Sequence, residues 1–212
     1  MLSIPSRACL LHEQRSETLC HRQNRAVAAP TIAGNKPSHP EISLVPTATG
    51  VSERTAHITR LAAAHEARLA DLLCSLNVLS RINRFGHPAS DAVVRAYAKR
   101  AIRAAVFVAG AQVEDTLIGV VEVFEASPDG TAEMAFATAA EWRRRGVALA
   151  LLEVAKRWAE HSGIGTLRMV ISRNNSPMRG FAHKVGARLS FDLDELYADL
   201  ATDTIMSLDR VA

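Results

Sequence analysis

The residues that could do chemistry fall into two short stretches. In the first, Arg143, Arg144, Arg145, Gly146, Val147 and Ala148 follow a β-type run at residues 132–139 and open the strongest helical pattern in the chain. A helix start presents N–H groups with no acceptor inside the helix, and the aligned peptide dipoles add partial positive charge there. Glycine at that point permits close approach to the main chain. The combination is an anion site, most naturally for phosphate. Without the flanking elements, the same residues would read as a solvated basic turn. In the second stretch, Asn175, Ser176 and Pro177 follow an apolar run at 167–171 and open another helical pattern that ends at Gly186.

Both stretches need neighbours to hold them. Residues 146–161 carry Val147, Leu151, Val154, Ala155 and Trp158 at helical spacing, with Glu153, Lys156 and Arg157 on other faces. Ser162-Gly163 terminates that helix. Strand, helix and strand in this order imply a parallel crossover that lays 167–171 beside 132–139. Upstream, 57–61 reads as a short strand. Residues 66–76 read as a helix through Leu69, Leu72, Leu73 and Leu76, and a further helix starts at Ser90-Asp91 and runs to about Ile102. Residues 80–88, between those helices, read as a turn-rich segment. Residues 105–108 and 117–124 read as an antiparallel hairpin, and Pro128-Asp129-Gly130 as the turn into the next strand.

Composition limits the alternatives. With 212 residues, 48% hydrophobic and 22% charged, the chain suits one domain of ~150 residues plus a tail. Net charge is only +3, and apart from Arg143–Arg145 the basic residues are scattered without aromatic interleaving, which leaves a nucleic-acid role unsupported. No apolar run reaches the ~18 residues of a membrane span. Three cysteines without a CxxC pair suggest reduced thiols and, by default, a cytoplasmic location. Cys9, His12, Cys20 and His21 match no usual zinc spacing, so no metal is expected. Residues 1–50, with four prolines between Pro30 and Pro46, read as a disordered extension, 51–203 as the domain and 204–212 as a tail.

The pattern Arg-x-x-Gly-x-Ala at Arg143, Gly146 and Ala148, after the strand at 132–137, resembles the acetyl-CoA motif of the GNAT superfamily of N-acetyltransferases. Residues 170–178, with Asn175, and 182–187, with Lys184 and Gly186, resemble that superfamily's next strand, its Asn, and its helix ending in Lys-x-Gly. Residues 79–91 are similar to the helical region of bacterial members related to protein-lysine acetyltransferases. The resemblance covers about residues 58–200. It implies an α/β (α+β) fold with a twisted mixed β-sheet flanked by helices and splayed at the acetyl-CoA site. Pantetheine would pair with the strand edge at Phe136, Ala137 and Thr138, and the pyrophosphate would rest on the amides of Arg143, Arg144, Arg145, Gly146, Val147 and Ala148. Asn175 would touch the pantetheine arm. Main-chain donors would dominate, so side-chain identity at Val147 and Leu149 should matter little.

The implied reaction is direct attack of a primary amine, on a protein lysine or a small molecule, on acetyl-CoA. An amine of pKa ~10.4 is free base in about one molecule per thousand near pH 7, a deficit of ~4 kcal/mol that a base helps overcome. Glu133 is the candidate base, because it opens the strand that would carry the thioester and similar bacterial members have Glu at the matching place. A surface carboxylate is the alternative reading of that residue. Many GNAT enzymes have a Tyr seven residues after the motif Asn. Here that position is Ala182, with Phe181 and His183 beside it. A catalytically weak acyl-CoA sensor or interaction domain is the competing function. The chain is expected to act as a monomer or homodimer.

Overall fold

The computed structural model describes residues 41–43, 55–192 and 195–203. Among these, eight strands form one sheet: β1 (Glu41–Ser43), β2 (Thr55–Arg60), β3 (Phe107–Val113), β4 (Thr116–Ala126), β5 (Thr131–Thr138), β6 (Thr166–Ser172), β7 (Arg188–Asp192) and β8 (Glu195–Ala201). Their order is β1-β2-β3-β4-β5-β6-β8-β7. Every neighbouring pair is antiparallel except β5 and β6. Five α-helices accompany them: α1 (Glu66–Cys74), α2 (Val78–Phe85), α3 (Asp91–Ala104), α4 (Val147–His161) and α5 (Ser176–Lys184). The expected mixed sheet flanked by helices therefore forms, with the parallel pair where the crossover argument put it.

Each face of the sheet carries its own core. Ile118, Val121, Val123, Ala132 and Met134 pack with Val147, Leu151, Leu152 and Ala155 of α4 on one side. Leu117, Val120 and Ala137 pack with Leu69 and Leu73 of α1 and Val94 and Ala98 of α3 on the other. Period-two alternation along β4 and β5 sends successive residues to opposite layers, which is how one strand serves both cores. Trp142, in the 3-10 turn Ala140–Trp142, packs against both.

Three local readings change. The segment 80–88, read as turn-rich, is mostly helix α2. Asn77 caps it by accepting from Ser80 N at 2.9 Å, and left-handed Gly86 (φ 83°) ends it. Asn before and Gly after are ordinary helix boundaries, but only Phe85 of its eight residues is buried, so no apolar stripe announced it. Lys156, assigned to a polar face of α4, is buried. Within the stretch read as an extension, Glu41–Ser43 forms β1 and pairs with β2. The remainder of 1–50, the candidate cluster Cys9, His12, Cys20 and His21, and the tail 204–212 lie outside the described residues.

The feature that makes a site is the incomplete pairing of β5 and β6. β5 stays in register with β4 as far as Thr138, and β6 pairs with β8 from Thr166 to Ser172. The two strands share only Thr131–Glu133 with Thr166–Arg168. Their starts are tied by the Gly130 carbonyl, which accepts from Gly165 N at 3.2 Å and Thr166 N at 3.3 Å. From Met134 onward they separate, and α4 begins beyond the end of β5.

Docking of α4 depends on Gly119 in β4. A Cβ there would lie 2.6 Å from Val147 Cγ1 and 3.2 Å from Leu151 Cδ1. Both side chains are buried, so neither can swing aside cheaply. Gly119→Ala is expected to cost about 1–3 kcal/mol of stability by overpacking. Urea unfolding of the two proteins measures this, and a difference within error would mean that α4 is not held against β4 as described.

Candidate active site

The loop between β5 and α4 is built from main-chain geometry. Arg144 (φ 61°) and Gly146 (φ 82°) both adopt left-handed backbone, which turns the chain sharply before the helix. For Arg144 this conformation carries a cost, since its Cβ approaches the following carbonyl; glycine adopts it freely. The first helical bond runs from Ala150 N to Gly146 O at 3.0 Å, so Val147, Ala148 and Leu149 present N–H groups that the helix itself does not use. A Cβ on Gly146 would meet nothing within 4 Å. The surface above it is open to a ligand, and the glycine is required by its φ rather than by crowding.

The arginines differ in what their side chains do. Arg143 donates from Nη2 to Ser80 Oγ at 2.9 Å and from Nε to the Thr138 carbonyl at 3.3 Å. Its guanidinium thus links the loop to α2 and to the end of β5. Arg145 lies over the Trp142 ring, 5.2 Å from the centroid, and Arg144 is exposed. Val147 packs into the core against Gly119, so its side chain serves the packing of α4. Phe136, on the α4 side of β5, meets Phe181 of α5 edge-on at 5.8 Å. Ala137 is buried and Thr138 half-buried where β5 has left β6. Asn175 Oδ1 accepts from Met178 N at 3.3 Å and so caps α5.

Glu133 is half-buried and stands opposite Arg168 at the last shared register position before the strands part. It lies on the same face of β5 as Ala135 and Ala137. At the position counted for a tyrosine, Ala182 is fully buried in the core, while His183 is exposed. On β8, the Tyr197 phenol is pushed up to about 12 by desolvation and by its contact with Glu195, so it keeps its proton near neutral pH.

Sequence reasoning missed a buried polar cluster behind β5. Glu122 of β4 is 0% exposed and pairs with Arg84 Nη2. Arg84 also donates to Tyr97 OH at 2.6 Å. A single carboxylate inside the apolar run Leu117–Phe124 was the available signal, because a buried charge needs a partner. Among the described residues, no group of three or more His, Cys, Asp or Glu is placed to hold a metal ion, and no helix is long and apolar enough to cross a membrane.

The arrangement suits an elongated, phosphate-bearing ligand: a strand edge free to pair along its length, an opening between two strands, and helix-start amides under a basic loop. The sequence of the Acetyltransferase (GNAT) family matches residues 73–187, just over half of the chain and the whole of this arrangement. The chain belongs to the GNAT acetyltransferase family. Its class of reaction is acetyl transfer from acetyl-CoA. The GNAT domain of S. lividans PAT has a similar structure, with a TM-score of 0.64 and 20% identity, covering 79% of this chain and 99% of that one. PaiA N-acetyltransferase from Thermoplasma acidophilum, in complex with coenzyme A, gives 0.57 and 18%, covering 69% and 98%. YncA from Salmonella typhimurium, with its cofactor acetyl-CoA, gives 0.55 and 14%, covering 73% and 98%. At these identities the likeness concerns the fold. No curated protein matches the chain.

The capping role of Asn175 can be separated from ligand contact in this GNAT fold. Asn175→Ala should lower stability by about 1 kcal/mol through loss of the cap, and Asn175→Ser should retain most of it. Thermal unfolding reads the first effect. CoA calorimetry on the Ser variant then shows what the amide contributes beyond capping.

Proposed function

We propose that this protein transfers the acetyl group of acetyl-CoA to a primary amine by direct attack, without a covalent enzyme intermediate. The observation that carries this reading is the parting of β5 from β6 after Glu133, directly upstream of the Gly146 helix start. In this reading the pyrophosphate rests on the amides of Arg143 to Ala148. The pantetheine pairs with the β5 edge at Phe136, Ala137 and Thr138, with Asn175 near the arm, and the thioester lies in the opening. Of the three arginines, Arg144 and Arg145 supply side-chain charge to the phosphates, because Arg143 is engaged with Ser80 and Thr138. Residues 51–203 act as the catalytic domain.

Glu133 serves as the base. Its half-buried position at the mouth of the opening supports proton removal from an incoming ammonium, directly or through one water. The free amine then attacks the thioester carbonyl. A new C–N bond forms, the carbonyl oxygen carries the charge near a main-chain N–H of β5, and collapse breaks the C–S bond and expels CoA thiolate, while the second proton of the added nitrogen passes to that thiolate or to water to leave a neutral amide and CoA thiol. A thiol of ordinary pKa, ~8.5, leaves without strong acid help, which accommodates Ala182 in place of a proton donor. The acceptor is a protein lysine or a small-molecule amine.

Calorimetry with CoA and thiol release from acetyl-CoA over a panel of amines and lysine peptides test this reading. CoA should bind, and at least one amine should accelerate thiol release. Glu133→Gln should lower kcat by roughly 10²-fold or more while leaving CoA affinity within about twofold, as expected for a general base. Failure of CoA to bind folded protein removes the reading. Tight acetyl-CoA binding with no turnover on any acceptor replaces it with the sensor function.

A further inference from the structure

Helix α2 lies against β5 at the level where β5 has parted from β6. At its N-terminal end, Ser80 Oγ accepts from Arg143, whose Nε reaches the carbonyl of Thr138. At its C-terminal end, Arg84 pairs with Glu122, and Glu122 stands opposite Ala135 in the β4–β5 register. The helix is therefore tethered along 135–138, the same segment that the proposed function assigns to the pantetheine and thioester. On this face β5 presents Ala135, which is half-buried, and Ala137, which is buried in the core with α1 and α3. The opposite face is filled by Phe136 against Phe181 and by the α4 core.

Apolar packing alone does little to hold this helix. Phe85 is its only buried residue, and Val78 and Leu79 are 64% and 65% exposed. Polar groups fix it instead. Arg81 donates to the carbonyls of Leu76 at 2.9 Å, Ala89 at 2.9 Å and Cys74, which joins α2 to the end of α1 and the approach to α3. Arg84 lies over the rings of Phe85 at 5.4 Å and Tyr97 at 5.1 Å, and the two rings meet edge-on at 5.2 Å. The Tyr97 hydroxyl also reaches both Glu122 oxygens, at 3.4 and 3.3 Å. Burying a carboxylate and a guanidinium is a poor way to gain stability, because desolvation offsets most of the attraction. Such a pair does specify one arrangement, since displacing α2 would leave the buried Glu122 carboxylate with the Tyr97 hydroxyl but without its cation.

We propose that α2 is the acceptor-side wall of the transfer site, and that Arg84, acting through Glu122 and Tyr97, is a positioning residue that sets the distance of this wall from the thioester. The proposal rests on the function proposed above. Arg84 touches neither reacting group in this account; it holds the surface past which the amine must come, and which keeps water from the thioester.

The test compares wild type with Tyr97→Phe, Arg84→Lys, Arg84→Met and Glu122→Gln in the full chain. Acetyl-CoA affinity is measured by calorimetry, and thiol release is followed with a blocked lysine peptide, with spermidine, and with water alone as acceptor. Tyr97→Phe keeps volume and the ion pair, so it should fold. Acetyl-CoA Kd should change by less than about twofold in each folded variant. The ratio of amine transfer to hydrolysis should fall at least tenfold, mainly through a higher amine KM, with Arg84→Lys retaining more than Arg84→Met. A lower melting temperature with an unchanged ratio would reduce the cluster to a structural role and overturn the proposal. If wild type binds acetyl-CoA but turns over no amine, the transferase reading fails by itself. Hydrolysis then decides the positioning role: at least threefold faster in the variants supports it, and unchanged or undetectable rates overturn it. Wild type that binds no acetyl-CoA removes both.

Discussion

Everything in this protein that resembles a site follows from two parallel strands that pair for three residues and then part. β5 and β6 each have a second neighbour for most of their length, β4 on one side and β8 on the other. The sheet is therefore continuous despite the opening. Right-handed sheet twist makes divergence between adjacent strands inexpensive, and the Gly130 carbonyl holds their starts together. An opening pinned at one end is a wedge, and a wedge exposes one strand's main-chain groups without unfolding either strand.

Helix α4 gives the wedge its polarity. Its N-terminus begins just past the end of β5 because Gly119 lets Val147 and Leu151 pack directly onto β4. The same glycine-permitted contact brings the unused N–H groups of the first turn to the wide end of the opening. Two left-handed residues, Arg144 and Gly146, are needed to make that turn. Stability of the α4 core and presentation of these N–H groups are thus consequences of one packing arrangement, and membership of the GNAT family is consistent with each part of it.

The polar cluster of Arg84, Glu122 and Tyr97 answers a different need. Helix α2 has too little buried apolar surface to be held by hydrophobic contact, yet it lies over the segment where β5 is exposed. A short helix in that situation drifts unless specific groups fix it, and a fully buried carboxylate with a single best partner is such a group. The Phe85 and Tyr97 rings shield the pair from water.

Much of this was legible in the chain. The helix that became α4, its Gly146 start, the apolar strand at 167–171, the capped helix after Asn175 and the crossover joining them all follow from periodicity and local chemistry, because each is decided by residues near one another in sequence. What the sequence could not decide depended on distant partners. Helix α2 lacked an apolar stripe because Arg81, Arg84 and Ser80 hold it through residues 5 to 63 positions away. Val147 was legible as part of an apolar stripe, but its fit against Gly119 of β4 was not, nor was the bond from the Arg143 guanidinium to Ser80. Residue type and spacing determined that a glycine-led helix start with unused N–H groups would follow a strand; only the packing of α4 on β4 and the parting of β5 from β6 decided what it would face, since those are contacts between surfaces that no local pattern records.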